Sequence, residues 1–331
     1  MDPLFNIDLF RYINEYTDLR SLCDTSVLFA TLKQYIHYKL NDNYSFMYYD
    51  DISFRNRVLS KIYNPYKQLR LDLSWCLNIE NVSALGNVHT LNLRLCDNIE
   101  DVSALGKVHN LDLSWCLNIE NVSALGNVHT LNLARCHITD VSALGKVYYL
   151  DLHGCINIKD VSALGKVYYL NLSGCNITDV SALGNVHNLD LSDCDDIEDV
   201  SALGKVYKLN LSMCRKIKDV SALGNVHILK LQACTISDVS ALGNVHTLNL
   251  SNCDNVEDVS ALGKVHNLDL SCCLNIEDVS ALSKVHKLDL QGCLNIKDVS
   301  ALGNVHNLTD HYITNITISD IMALNLFDVH Y

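Results

Sequence analysis

Proline is scarce and positive charge is outnumbered. The 331 residues contain two prolines, Pro3 and Pro65, and 25 Lys+Arg against 38 Asp+Glu, a formal net charge of -13. So acidic a chain is a poor partner for nucleic acid or for an anionic membrane surface. No run approaches the roughly 20 consecutive apolar residues of a membrane-spanning helix. The opening MDPLFNIDLFRYINEYTDL lacks the basic, apolar and small-residue succession of a secretory signal, so none is expected. Nucleophile elbow, phosphate loop and His-Glu-x-x-His motifs are missing, and with them any sequence support for an enzyme. Disorder is excluded, because 49% of the residues are hydrophobic. Cysteine, by contrast, is plentiful. Fourteen Cys without an export signal read as reduced, buried thiols in an intracellular, cytoplasmic setting.

Composition changes near residue 66. The first 70 residues hold 9 Tyr, 5 Phe, both prolines and no Gly, and 9 Lys+Arg against 8 Asp+Glu leave them nearly neutral. The remainder carries all 14 Gly, every Cys except Cys23, and 16 Lys+Arg against 30 Asp+Glu, a net of -14. Two different physical objects are joined here. Length alone suggests about two domains of roughly 150 residues, a prior that repeat arrays escape.

The second part is such an array. Leu-x-Leu-x-x-Cys, or a close variant, begins at Leu71, Leu91, Leu111, Leu131, Leu150, Leu170, Leu189, Leu209, Leu229, Leu248, Leu268 and Leu288. Spacings are 20 residues, with three of 19 where a single residue separates Cys from Ile, as in Cys136-His-Ile138, Cys175-Asn-Ile177 and Cys234-Thr-Ile236. Each unit reads approximately V-x-x-L-x-L-x-x-C-x-N-I-x-D-V-S-A-L-G. The two leucines alternate inward on a short strand. Cys, Ile, Val and the last Leu then give one apolar contact at each bend. In one unit, Val88, Leu91, Leu93, Cys96, Ile99, Val102 and Leu105 should face inward. One coil cannot bury such a set alone, so coils must stack into a parallel sheet. Asp101 and its equivalents Asp140, Asp160 and Asp179 read as caps on a one-turn or 3₁₀ segment, S-A-L. Gly106 and its equivalents read as the residues that permit the tight turn back.

Residues 71–93 and 111–133 are identical, which implies duplication of a two-coil block. The middle strand position alternates Asp and Asn from Asp72 to Asn210, then lapses at Lys230. Interleaved Asn relieves the like-charge repulsion that an unbroken Asp row would suffer and supplies amide donors.

The pattern matches the leucine-rich repeat template, with Cys where Asn or Cys is allowed, and the tail I-x-D-V-S-A-L-G resembles the internalin class shortened to 20 residues. The resemblance covers about residues 67–308. It implies an α/β leucine-rich repeat solenoid: a curved parallel sheet, a convex side of short 3₁₀ segments and turns, and a small helical N-terminal region. It also implies a protein ligand on the concave face, held by the variable residues between the strand leucines. Most copies carry Ser, Asn, Thr or Asp there. Trp75, Leu95 and Trp115 occupy one outward position in three consecutive coils, with Arg94 and Arg135 close by. Tyr148, Tyr149, Tyr168 and Tyr169 form an aromatic block in the next two coils. Trp, Tyr and Arg are enriched at binding hot spots. The alternative is that both Trp descend from one duplication and shield a coil edge.

Two ladders of chemically capable side chains read as scaffold. The Cys row from Cys76 to Cys293 offers one thiol per coil and no Cys-x-x-Cys pair, which does not make a zinc tetrahedron; Cys272, on an outward position, is the thiol most open to reaction. Nine His share one repeat position, including His89, His109, His129 and His246, with Tyr148, Tyr168 and Tyr207 as replacements. No metal or other cofactor is expected. A row of imidazoles at strand spacing should resist protonation.

At the front, Leu4, Ile7, Leu9, Phe10 and Ile13, then Leu19, Leu22, Val27, Leu28 and Leu32, follow helical spacing. The run P-L-F-N-I-D-L-F-R-Y-I-N-E-Y-T-D-L-R-S-L-C resembles an F-box, with one extra residue before Asp18 and no Trp after the Cys. The resemblance implies that Leu9, Phe10, Ile13, Leu19 and Leu22 contact the adaptor of a cullin-type ubiquitin ligase, the array being its substrate receptor. A plain cap for the solenoid is the alternative, and Phe54, Val58, Leu59, Ile62 and Tyr66 suit that task. F-box plus leucine-rich repeats is similar to an arrangement in giant DNA viruses, which would place the protein in host cytoplasm. The expected organisation is therefore an F-box-like or capping region over 1–66, an array over 67–308, and a degenerate capping repeat over 309–331.

Overall fold

A leucine, one further residue and a second leucine make the shortest strand that can bury one face. The computed structural model describes residues 6–8, 37–62 and 64–309, and the chain divides into two compact units, Met1–Cys155 and Ile156–Tyr331. The first unit contains strands β1 Asn6–Asp8, β2 His37–Lys39, β3 Leu69–Asp72, β4 Thr90–Asn92, β5 Asn110–Asp112, β6 Thr130–Asn132 and β7 Tyr149–Asp151. The second contains β8 Tyr169–Asn171, β9 Asn188–Asp190, β10 Lys208–Asn210, β11 Ile228–Lys230, β12 Thr247–Asn249, β13 Asn267–Asp269, β14 Lys287–Asp289 and β15 Asn307–Thr309. Within each unit the strands follow sequence order and pair in parallel, equivalent leucines side by side, as Leu91 beside Leu111 and Leu209 beside Leu229.

The inward set is the expected one. Val88, Leu91, Leu93, Cys96, Ile99, Val102 and Leu105 are all buried, and so are Val206, Leu209, Leu211, Cys214, Ile217, Val220 and Leu223. The return limb is a single 3₁₀ turn such as Ser103–Leu105 or Ser181–Leu183. Asp101 Oδ1 accepts the Ser103 N–H at 2.8 Å, and Asp179 Oδ1 accepts that of Ser181 at 2.9 Å. This local carboxylate turn starts the limb. The Ser103 N–H and then its hydroxyl hold the Asp101 carboxyl below its ordinary range.

The glycine after S-A-L has a different job from the one its sequence suggests. Gly106 has an ordinary right-handed φ of -62°, so turn geometry does not call for glycine. The requirement comes from the next coil, because a Cβ on Gly106 would stand 2.3 Å from the Ala124 carbonyl oxygen. Glycine is the residue that lets the return limbs stack at strand spacing.

The front of the chain enters the same sheet. Three helices, α1 Asp42–Asp50, α2 Ile52–Lys61 and α3 Pro65–Gln68, lie between β2 and β3 and form the return limb of that coil. Asn41 caps α1 by accepting the Tyr44 N–H at 3.0 Å, and Asp51 caps α2 through Ser53 and Phe54. Phe54, Val58 and Ile62 are buried, as a cap requires, and Leu59 is half-buried. Tyr66 departs from that expectation. It is exposed, because its hydroxyl donates outward to Asn87 Oδ1 at 2.6 Å. Ile7, assigned to a helix by its spacing, lies in β1, where residues 6–8 gain a parallel ladder with 37–39. Leu9, Phe10, Ile13, Leu19 and Leu22, and the expected final repeat after Thr309, lie outside the described residues.

Candidate partner-binding face

Each coil leaves its strand through one residue in the left-handed backbone region, immediately before Cys. In the first unit φ is 65° at Trp75, 61° at Leu95, 64° at Trp115 and 64° at Arg135. Gly154 occupies the equivalent place in the first unit, and in the second unit Asp193, Met213, Ala233, Asn252 and Cys272 share this conformation, as do Gly174 and Gly292. The turn aims an amide at the next coil. Trp75 N–H donates to Arg94 O at 2.9 Å, Leu95 N–H to Ser114 O at 3.0 Å, Trp115 N–H to Ala134 O at 2.8 Å and Arg135 N–H to His153 O at 2.7 Å. One more rung is thus added beyond the strand. An L residue in this region costs about 1–2 kcal/mol, a penalty glycine escapes. Met213, exposed and left-handed at φ 64°, offers a clean test. Met213→Gly should raise stability by about 1 kcal/mol, read as a higher urea midpoint at unchanged slope; a lower midpoint would contradict it.

The predicted contact residues fall into two rows. Trp75 is 69% exposed, Leu95 half-buried and Trp115 39% exposed. Arg135 continues this row, its guanidinium carbon 5.5 Å from the centre of the Trp115 ring and its Nη2 3.2 Å from His153 Nε2. Arg94 is exposed one position earlier in its coil. Tyr148 and Tyr149, both exposed, stand at the opposite end of the strands, six and five positions before the left-handed residue, which is roughly 20 Å along an extended chain. Burial, and then Asp151, push the Tyr149 hydroxyl pKa up. Tyr168 and Tyr169, in the second unit, are half-buried with rings 4.8 Å apart, edge to face. Within the first unit the structure thus joins Trp75, Leu95, Trp115 and Arg135 in one row and sets Tyr148 and Tyr149 apart from it.

Within each unit that second row is a pile of rings. His89, His109, His129 and Tyr148 follow at centroid distances of 4.7, 4.5 and 4.8 Å. In the second unit the series runs from Tyr168 through His187, Tyr207, His227, His246, His266 and His286 to His306, beginning at 4.4 Å and ending at 4.7 Å. His109 and His187 place Nδ1 at 3.0 and 2.9 Å from the Oδ1 of Asn110 and Asn188, a contact the amide oxygen accepts in the tautomer that carries its proton on Nδ1. Desolvation and then His109 hold the His129 pKa below its ordinary value, and desolvation followed by His227 and His266 does so for His246. The sign follows. Folded values lie below the unfolded value near 6.5, so stability is complete above about pH 6.5 and declines as pH falls through and beneath it. The unfolding midpoint should drop between about pH 7.5 and 5.5, a window in which no carboxylate of ordinary pKa titrates. A flat profile would refute this.

The cysteine ladder is a hydrogen-bonding device inside the core. Cys96 Sγ–H donates to Leu73 O at 3.2 Å, Cys116 to Leu93 O at 3.1 Å and Cys214 to Leu191 O at 3.1 Å, each reaching back one coil. Burial pushes the Cys96, Cys116 and Cys194 thiols up to about 12, so they stay protonated as this bond requires. Cys272 is exposed while Cys273 is buried. Among the described residues no group of three or more His, Cys, Asp or Glu is placed to hold a metal ion, and no helix is long and apolar enough to cross a membrane.

Comparison with solved structures bears on the architecture. An internalin from Listeria monocytogenes superposes with a TM-score of 0.54 over 96% of this chain and 100% of its own, at 17% identity. The fold is a leucine-rich repeat solenoid. The functional domain of InlJ from the same organism, described as including a cysteine ladder, matches 78% of this chain and 65% of its own at 20% identity and a TM-score of 0.47. A leucine-rich repeat protein of Leptospira interrogans matches 68% of this chain and 78% of its own at 14% identity and a TM-score of 0.40. No protein-family model and no curated protein matches the sequence.

Proposed function

We propose that this solenoid is a protein-recognition module whose contact surface is the strand-exit row Trp75, Leu95, Trp115 and Arg135. One observation carries the reading. Bulky apolar residues occupy three successive left-handed positions where glycine or asparagine would cost less, and two of them, Trp75 and Trp115, are exposed. A bulky, solvent-facing side chain kept where the backbone favours glycine is an outlier of the kind that points to function. Trp115 beneath the Arg135 guanidinium supplies an aromatic and cationic anchor of the hot-spot type. Rigid stacked coils preorganise it, which lowers the entropic cost of binding. Nothing in this reading requires catalysis.

Trp75→Gly combined with Trp115→Gly is the appropriate variant, because glycine suits the backbone at both sites. Affinity capture with the intact chain should retain a protein that the double variant loses, while the thermal midpoint does not fall. Equal capture by both would show that the row only shields a coil edge.

A finer reading, carried by the F-box resemblance of residues 3–23 alone, makes the module the substrate receptor of a cullin-type ligase in the cytoplasm, of a host cell if the chain is viral. It requires a ligase adaptor to co-purify with the full chain and to be lost on Leu9→Ala with Phe10→Ala. Without that, the protein is a scaffold or regulatory binder with no ligase coupling.

A further inference from the structure

Eleven of the twelve strands from β3 to β14 carry Asp or Asn at their middle outward position, and in each the side-chain Oδ1 accepts the backbone N–H two residues on. The twelfth carries Lys230. An ammonium accepts nothing, so β11 gives up a hydrogen bond that every equivalent strand makes. Its coil and the one before also differ outwardly from the copied sequence, with Lys208, Met213, Ile228 and Gln232, while their inward residues from Val206 to Leu242 keep the repeat and stay buried. Departures confined to outward positions leave the core untouched and do not serve it.

The surroundings of Lys230 are ordered by charge. Register places Asp190, Asn210, Lys230, Asn249 and Asp269 side by side on β9 to β13. Asn210 turns its amide away from the lysine, donating to Asp190 Oδ1 at 3.1 Å and Oδ2 at 3.0 Å. Asn249 turns the other way and donates to Asp269 Oδ2 at 2.9 Å. The row therefore reads negative, neutral, positive, neutral, negative, with Lys230 at its centre. Lys230 and Lys208 are exposed, and among the described residues neither forms an ion pair. The other cations of these coils are engaged: Arg215 with Asp195 at 3.5 Å, Lys216 with Asp196 at 2.8 Å, and Lys218, which donates to Thr235 Oγ1 at 2.7 Å. Strands about 4.8 Å apart put the flanking carboxylates about 10 Å on either side of Lys230, which is the span of three residues of extended chain.

We infer that this row is a docking strip for an extended polypeptide lying across the strands, with an acidic residue on Lys230 and a basic residue three positions to each side, on Asp190 and Asp269. Exposed Met213 and half-buried Ile228 supply the apolar contact beside it, and Lys208 reinforces the central charge. The inference rests on the sheet face being a protein-binding surface, but it uses none of the residues of the tryptophan row, so the two can fail separately.

The test uses the full chain and two fluorescein-labelled peptides, KVTEVTK and its charge-reversed partner EVTKVTE, followed by polarisation at low and high salt. KVTEVTK should bind at least about fivefold more tightly, with the difference lost as salt rises. Lys230→Asn, the residue that equivalent coils carry, restores the hydrogen bond to Gln232; with Lys208→Asn it should weaken KVTEVTK about fivefold while the unfolding midpoint holds or rises. Trp75→Gly with Trp115→Gly should leave this binding unchanged. Equal affinity for the two peptides, no binding up to about 1 mM, or full retention in the lysine variant would overturn the proposal. So would self-association of the chain abolished by Lys230→Asn, which would make a second copy the occupant.

Discussion

Gly184→Ala should destabilise the protein by about 3 kcal/mol, a very large effect for one methyl group. A Cβ built on Gly184 falls 2.3 Å from the Ala202 carbonyl oxygen and 3.3 Å from its carbon. The obstacle is backbone, which cannot rotate out of the way as a side chain can. Relief requires two coils to separate, and both are tied by strand rungs, as at Leu189 beside Leu209. The chain contains its own comparison, because Ser283 stands where the other coils have glycine, with φ -57°. The next limb, Ser300–Asn304, is the last in the described array. Ser283→Gly should accordingly add stability, in the opposite direction to Gly184→Ala. Urea unfolding at matched slope would read both. A Gly184→Ala midpoint equal to that of the parent would refute the close-approach account.

The second large effect is expected at Leu209→Ala, about 3–4 kcal/mol. Leu209 is fully buried and lies between Leu189 and Leu229 in register. The cavity would open in the middle of a row with a neighbour on each side, where collapse from one side strains the other. Because each coil is stabilised mainly by its neighbours, the loss should also appear as earlier opening of the second unit in hydrogen exchange. A loss below about 1 kcal/mol would mean that the rows repack freely.

Burial was legible in the sequence because it is periodic. Leucines one residue apart and single apolar residues at each bend predict the interior correctly from Val88 to Leu105, and the aspartate before each S-A-L predicts the start of the return limb. Backbone handedness is not encoded by hydrophobic period. The left-handed position before Cys announces itself through Gly154, Gly174, Gly292 and Asn252, yet the residues that attract attention there are the tryptophans, whose size says nothing about φ. The repeat glycine hides its role for the complementary reason. Its usual meaning is a turn, and its meaning here depends on an oxygen in the following coil that no single repeat contains. The candidate residues were drawn together by type, whereas strand geometry sorts them by position, Trp75 and Trp115 to one end and Tyr148 and Tyr149 to the other. The segment at residues 6–8 has helical spacing, but its place was decided by an available ladder with 37–39.

Residues 71–93 and 111–133 are the same sequence, and the return limb that precedes them meets only the first copy. Removing residues 71–110 would therefore present α1 and β2 with an unchanged run from Leu111 to Leu133, every later coil keeping its native neighbour. The seam would be chemically invisible to the fold, although the row of tryptophans would shrink from two to one. Such a chain can gain or lose length in forty-residue steps without inventing an interface, so the extent of its binding wall is free to change while its architecture is inherited intact.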